Sequence, residues 1–384
     1  MKWILRVRHL FMKEDFMYSG QTYYHFMASS LVIGFLMLFL PSLGFSGHKN
    51  AHPVMDDFPL PESISLCGES MPLEDRHVWE MMDREFTISV WDRAQVFMWI
   101  KRAGRYLPHI EKRLAEEGMP DDLKYLAIAE SSLITHIRSR KGALGTWQFM
   151  AHTARRNGLR KDRAMDERLD FERSTEAALR YLKRLKEKFG AWTLAIAAYN
   201  CGEARLEKEI KMQKVRDYYR LSLPKETERY VFRIAAAKII MENPERYGYR
   251  LTPARIYKPL EYDEVRVKVR VPLSIADVAK NIGTDFKGFK EFNPRIRGYY
   301  LPIGRYTIKV PCGLGPKLVT VLKQLDRVTA RPMKKVEGGY YIVQPGDTLN
   351  LIAKRTGVSV TQLKKLNQID GSLIRVGQKI RLNP

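Results

Sequence analysis

The chain has few cysteines. Cys67, Cys201 and Cys312 are the only three in 384 residues. An odd number this widely spaced argues against a disulfide framework and gives no thiolate metal spacing. The 8 histidines show no ligand spacing either. No Ser/His/Asp or Cys/His set is apparent, so nothing in the sequence points to a metal, a cofactor or a triad nucleophile. Acidic residues are also scarce, 43 against 66 Lys and Arg, which leaves a net charge of +23. Such a balance predicts an anionic partner: nucleic acid, an anionic membrane surface, or the acidic polymers and peptide carboxylates of a cell wall. Charge alone does not choose among them.

Long apolar runs are scarce as well. The strongest is Phe26 to Phe45, preceded by His, Lys and Arg and followed by small residues from Ser42 to Gly47. Residues 1–47 therefore read as a secretory signal with a long n-region, or as an uncleaved N-terminal anchor that would give membrane association through residues 26–45. Met27 is an alternative start. No cysteine closely follows the run, Cys67 being the nearest, which removes a lipid attachment site.

The length suits two or three domains. Residues 48–80, with their Pro, His and acidic residues, read as a linker. Helical patterns dominate to about 242. Ser174 is placed as the N-cap of a helix ending before Gly190, Pro224 opens the helix carrying Tyr230, and Asn243-Pro244 stops it. Val265 to Val271, alternating with Arg and Lys, reads as a strand. An internal repeat follows. Ile275, Val278, Ala279, Gly283, Phe289 and Asn293 align with Leu349, Ile352, Ala353, Gly357, Leu363 and Asn367, all at an offset of 74.

Glu130 stands out in the helical stretch Tyr125-Leu-Ala-Ile-Ala-Glu-Ser-Ser-Leu133. Pro120 suits the first helical position and Asp121 and Asp122 the positive end of the dipole. Leu126 and Ala127 share the face of Glu130. A carboxyl so placed loses hydration, its pKa rises, and a fraction stays protonated near neutral pH, as a general acid for glycoside cleavage requires. Glycosidases normally use two carboxylates. No second Asp or Glu in the neighbouring motifs would converge on Glu130, and Glu226, in a first helical turn after Pro224, is better read as a cap.

Four motifs follow in order: Ala129-Glu-Ser-Ser132, Gly142-Ala-Leu-Gly-Thr-Trp-Gln-Phe-Met150, Ala198-Tyr-Asn-Cys-Gly202 and Glu226-Thr-Glu-Arg-Tyr-Val231. Over roughly residues 100–250 this order resembles the catalytic domain of the lytic murein transglycosylases, and the Trp-Gln-Phe-Met version is most similar to their membrane-bound type D branch. The resemblance implies a mainly α, lysozyme-like domain over 81–250. In it Glu130 would protonate the glycosidic oxygen and then act as base toward the muramyl C6 hydroxyl, with no covalent nucleophile. It implies substrate-binding roles for Ser131, which would orient the carboxyl, and for Gln148, Met150, Tyr199, Asn200 and Tyr230. Arg138, Arg140 and Lys141 would meet peptide carboxylates or simply be solvated. Thr135-His-Ile137 is bulkier than the family pattern and would reshape a subsite.

The second repeat copy, 338–384, resembles a LysM domain, a small α+β module of βααβ order that binds N-acetylglucosamine-containing glycans. That implies contacts at Gly346, Asp347, Thr348, Leu349 and Ile374. The first copy, 262–312, has Pro272-Leu-Ser in place of the Gly-Asp-Thr turn and reads as a degenerate module. Leu351 to Leu363 also fits a helix-turn-helix with Gly357 at the turn, but flanking strands and an export signal oppose a nucleic-acid partner. The sequence thus predicts an envelope or periplasmic enzyme acting on peptidoglycan strands. A hydrolytic lysozyme and a non-catalytic wall-binding protein remain as alternatives.

Overall fold

The computed structural model describes residues 57–330, 339–344 and 347–383. The apolar run Phe26 to Phe45, Met27 and Gly346 lie outside the described residues. Among the described residues no helix is long and apolar enough to cross a membrane.

A short hairpin, β1 (Ser65–Leu66) and β2 (Glu69–Ser70), leads into nine helices. These are α1 (Arg76–Trp91), α2 (Arg93–Glu116), α3 (Lys124–Ser131), α4 (Ala151–Arg156), α5 (Phe171–Phe189), α6 (Trp192–Cys201), α7 (Glu203–Gln213), α8 (Lys225–Glu228) and α9 (Tyr230–Glu242). Two of them are apolar nearly all round, the mark of a central helix. In α6 every residue from Thr193 to Ala198 is buried. In α9 burial runs from Tyr230 to Phe232 and through Ile234 to Ala237, Ile239 and Ile240. Small side chains let neighbours approach these two closely, and α9 packs against α1, α3 and α6. Amphipathic α5 turns Ala177, Ala178, Tyr181, Leu182, Leu185 and Phe189 inward and ends at Gly190 in the left-handed region.

The linker expected over 48–80 is corrected from residue 58 onward, where Phe58 and Leu60 already pack against the helical core. Ile64, Leu66, Cys67 and Met71 are buried in the helical core. The Glu69 carboxylate accepts from the Trp192 and Thr193 N–H groups, the latter at 2.9 Å, and so caps α6, whose own N-cap residue is Ala191. An acid at that end also suits the helix dipole. The Cys67 N–H donates to Asp122 at 2.7 Å. No periodicity marks this segment, so only the tertiary structure reveals its role. Two cap assignments shift. Asp170, not Ser174, caps α5, accepting from the Arg173 N–H at 3.0 Å, while the Ser174 hydroxyl donates to Phe171 O inside the helix. Pro120 precedes a 3-10 turn, Asp121–Leu123, that leads into α3.

The rest of the chain is α+β. β3 (Tyr262–Val269) pairs antiparallel with β6 (Gly304–Pro311), and between them lie β4 (Leu273–Ser274), α10 (Ile275–Ile282), α11 (Phe286–Phe292) and β5 (Tyr300–Leu301). α12 (Gly315–Ala330) covers that sheet. Next come β7 (Tyr340–Ile342), α13 (Leu349–Thr356), α14 (Val360–Asn367) and β8 (Lys379–Arg381), with β7 and β8 antiparallel. The two βααβ units repeat in detail as well as in order. Ser274 and Thr348 each cap the first helix, and Gly283 and Gly357 each end it with positive φ. Asn293 donates to Phe289 O and Lys309 O and accepts from the Lys309 N–H. Asn367 does the same with Leu363 O, Arg381 O and the Arg381 N–H. In both units one amide side chain ties the second helix to the last strand.

The first unit is docked on the helical domain. Met165 joins its apolar cluster, Asp166 N–H donates to Arg295 O at 2.8 Å, and Arg297 N–H donates to Ala164 O at 2.7 Å. Ion pairs Arg295–Asp170 and Lys309–Glu172 reinforce the seam, and Tyr262 donates to Glu172 at 2.7 Å.

Candidate active site

Three helix ends meet around Glu130. It is the penultimate residue of α3; Tyr199 and Asn200 lie in the last turn of α6; Tyr230 is the first residue of α9. The α3 helix stops abruptly because Ser132 and Leu133 both adopt positive φ, at 52° and 59°. Non-glycine residues in that region carry strain of about 1–3 kcal/mol each, retained where surrounding structure imposes it. Leu133 is held there by burial, and the Ser132 N–H closes on Ile128 O at 2.7 Å.

The Glu130 side chain is half-buried, and the Tyr230 hydroxyl donates to its Oε1. Burial raises its pKa from the ordinary 4.5 to about 7; the Tyr230 bond and the Arg233 guanidinium oppose that rise, and Glu226 adds slightly to it. Desolvation wins. The carboxyl is therefore divided between its two protonation states near neutral pH, as a group that first gives and then takes a proton requires. Burial, followed by the charge of Glu130, drives the Tyr199 and Tyr230 phenols well above their ordinary range. Both remain neutral donors.

Gln148 lies on the Gly142 to Met150 loop, which the Tyr199 hydroxyl ties to α6 through Trp147 O. The φ of Gln148 is 45°, and its amide donates to Gly145 O at 2.7 Å and Ile137 O at 3.2 Å. These are the partners that a polar residue between Trp147 and Phe149 needs. The Tyr199 hydroxyl donates to Trp147 O at 2.8 Å, and its ring packs against Tyr181 and Phe149 at 5.3 and 6.1 Å. Trp147 is core, its indole N–H bonded to Thr175, whereas Met150 is 37% exposed. Asn200 accepts from the hydroxyl of buried Thr227 at 2.8 Å, which joins α6 to α8.

One expected role is corrected. Ser131 is buried and its hydroxyl donates to Ala127 O, one turn back in its own helix, at 3.1 Å. It shapes the end of α3 and does not orient the Glu130 carboxyl. Tyr230 does that instead. Glu226 sits in the first turn of α8, exposed and paired with Lys141 at 3.4 Å.

Arg168, which the sequence reading missed, holds the loop in place. It is buried, forks onto Asp166 with two 2.8 Å bonds, and its other terminal nitrogen donates to Gly142 O and Phe149 O, both at 3.0 Å. A Cβ on Gly145, whose φ is +86°, would come within 1.9 Å of Arg168 O. Both the bare backbone at 145 and the guanidinium at 168 are needed for this loop geometry. Nothing local distinguishes Arg168 from the many solvated arginines of this chain.

In the second βααβ unit the expected glycan contacts are mostly turned inward. The Asp347 carboxylate accepts from Tyr341, the Gln344 N–H and Arg355; Thr348 caps α13; Leu349 is buried; and Ile374 packs against the small core. These side chains build the turn rather than present themselves to a ligand. Leu373 and Val376, by contrast, are exposed.

The helical domain thus sets one desolvated glutamate beside tyrosine hydroxyls, and two βααβ units follow it. Residues 108–221 match the family model of the Transglycosylase SLT domain, and residues 341–383 match that of the LysM domain. Over 292 residues the chain is 34% identical to membrane-bound lytic murein transglycosylase D of Escherichia coli K12, a match covering 73% of this chain and 64% of that protein. The chain thus spans less than two thirds of that relative's length. A stretch of 41 residues is 58% identical to the autolysin of Enterococcus faecalis, covering 11% of this chain and 6% of that one. The crystal structure of the 70 kDa soluble lytic transglycosylase from Escherichia coli overlaps 40% of this chain and 27% of its own at 19% identity, with a TM-score of 0.31, too low to bear on the fold.

Proposed function

We propose that the chain is a lytic transglycosylase that cleaves the β-1,4 bond between N-acetylmuramic acid and N-acetylglucosamine in peptidoglycan, leaving 1,6-anhydro ends. The observation that carries this reading is Glu130, a single carboxyl with a pKa near 7 that accepts a phenol hydrogen bond and has Glu226 as the one carboxylate acting on it. Protonated Glu130 gives its proton to the glycosidic oxygen as the C1–O bond breaks. The carboxylate then takes the proton of the muramyl C6 hydroxyl as that oxygen closes on C1. No water enters and the acid is regenerated. Gln148, Tyr199, Asn200 and Tyr230 supply neutral dipoles that hold the sugar and stabilise oxocarbenium-like charge. Met150, exposed at the loop's end, forms part of the groove wall.

The 338–384 module recruits the enzyme to wall glycan, and the degenerate 262–312 module, docked through Arg295 and Lys309, serves as framework. Residues 81–250, extended back to 58, form the catalytic domain. Residues 1–47 direct the chain to the envelope, as a cleaved signal or as an anchor in the inner membrane. Digestion of sacculi in heavy-oxygen water tests the reaction type. Unlabelled anhydro products are expected, and labelled reducing ends would make the enzyme a hydrolytic lysozyme.

A further inference from the structure

The docked βααβ unit and the helical domain enclose a cleft of about 370 Å³ with a concentrated positive charge. Its helical-domain wall carries Arg160 and Arg173, each already paired, with Asp162 and with Glu167. Its strand wall is different. Lys268 on β3 stands directly opposite Arg305 on β6, and Arg266 stands opposite Thr307. Among the described residues none of these three cations has an ion pair or hydrogen bond. Directly opposed like charges destabilise an antiparallel pair. Lysines and arginines on one face of β3 would guard a sheet edge against aggregation, but that role would not require a third cation on the partner strand or a concave wall facing them. Met165, Val267 and Tyr306 also line the cleft but belong to the module's own apolar cluster, so its free groups are the cations. Guanidinium forks suit carboxylates.

We propose that this cleft binds the carboxylates of a short acidic peptide, which gives the chain a second contact with peptide-bearing wall strands. The identity of the natural ligand rests on the peptidoglycan reading above; the anion site itself does not. A concave cleft admits a chain end or a branch, whereas a bilayer presents its headgroups in a plane.

The test uses the full chain and a dye-labelled Ala-Glu-Ala peptide with free carboxylates, alongside its fully amidated form. The acid form is expected to bind the wild type, with salt weakening it, and the amidated form is not. In the Arg266→Gln/Lys268→Gln/Arg305→Gln variant, binding of the acid form is expected to weaken about tenfold or more, as loss of several partly exposed charge pairs implies. Thermal unfolding of the variant is expected to match or exceed the wild type, since a repulsive pair is removed. Equal binding of acid and amidated peptides by the wild type would overturn the proposal, as would an unchanged affinity in the variant. A third overturning result is loss of binding to phosphatidylglycerol vesicles in the variant with peptide binding intact, which would make the face a membrane contact. No sugar is present in either arm, so failure of the transglycosylase reading, read from wild-type cleavage of peptide-free strands, would leave this result standing.

Discussion

Replacing Glu130 with Gln should abolish turnover and stabilise the protein, but only above a certain pH. Burial holds the folded carboxyl at about 7 against an ordinary 4.5. Below 4.5 the group is neutral whether the chain is folded or not, and it contributes nothing. Between 4.5 and 7 the unfolded chain releases its proton first, so stability falls as pH rises. Above 7 the full penalty applies, about 3 kcal/mol at about 1.36 kcal/mol per pH unit. The amide introduced by Glu130→Gln has no proton to lose, and its oxygen still accepts from Tyr230. The stability difference between Glu130→Gln and the parent should therefore be small at pH 4 and grow to at most about 3 kcal/mol in favour of the variant at pH 8. Urea unfolding followed by tryptophan fluorescence at the two pH values measures it. Five of the six tryptophans lie between positions 79 and 192, so they report the unfolding of the helical domain. A constant difference across that range would show that Glu130 is not desolvated. Substantial muropeptide release by the folded variant would remove it as the acid.

Tyr230→Phe deletes a donor that favours the ionised carboxyl, so the alkaline limb of the pH–rate profile, expected near pH 7, should move up by about one to two pH units, the worth of one charge-assisted bond; an unmoved limb would refute the pairing. Arg168→Met leaves Asp166 buried and unpaired and should cost about 3–5 kcal/mol in urea unfolding of the helical domain, and a loss below 1 kcal/mol would mean the guanidinium does not hold the loop. Asn367→Ala removes three hydrogen bonds and should destabilise the last module by about 2–4 kcal/mol, read as weakened sacculus pulldown with cleavage of short soluble strands retained. Deleting residues 336–384 should give the same separation, because a tethered module acts by raising effective substrate concentration; equal pulldown by the truncated chain would refute recruitment.

The parts of this molecule that obey a local rule were legible in the sequence. Apolar periodicity and glycine stops located α3, α5 and the two βααβ repeats, and the carboxyl at the end of an apolar helix was visible as unusual. The misreadings share one cause. Ile64, Leu66 and Met71 are isolated apolar residues among prolines and acids, and only tertiary packing against the helical core buries them. Asp170 and Ser174 both suit an N-cap, and what decides between them is where packing starts α5. The serine after Glu130 could equally have faced the carboxyl or its own helix, a choice that rotamer and burial make. Arg168 gives no local signal because its pairing with Asp166 looks like any short-range ion pair, and the carbonyls it holds lie on a loop about twenty residues earlier. Motif order suggested that Gln148, Tyr199 and Tyr230 belong together, but only coordinates show which of them touches the carboxyl.

A site with one working carboxylate imposes a demand on its surroundings that a two-carboxylate site does not. With a partner acid, like-charge repulsion can raise one pKa even in a wet cleft. With one acid, desolvation must do most of that work, and the dry wall must be built from groups that do not themselves ionise. The helical domain meets the demand with its two most apolar helices, α6 and α9, which bring phenols rather than charges to Glu130. Among the described residues Arg233 is the cation that acts on Glu130; it also donates to Ala129 O at 3.2 Å, so its guanidinium serves the α3 backbone. The strained exit of α3, with Ser132 and Leu133 both at positive φ, turns the chain sharply just beyond the carboxyl, and Gln148 is left-handed on the neighbouring loop. The strain is held from outside: Arg168 fixes the Gln148 loop, Asp166 fixes Arg168, and the Asp166 N–H is bound by Arg295 O of the docked module. The first βααβ unit is thus connected to the Gln148 loop through two residues. This gives a physical reason for it to keep its fold and its Asn293 tie even without the Gly-Asp-Thr turn of its intact copy.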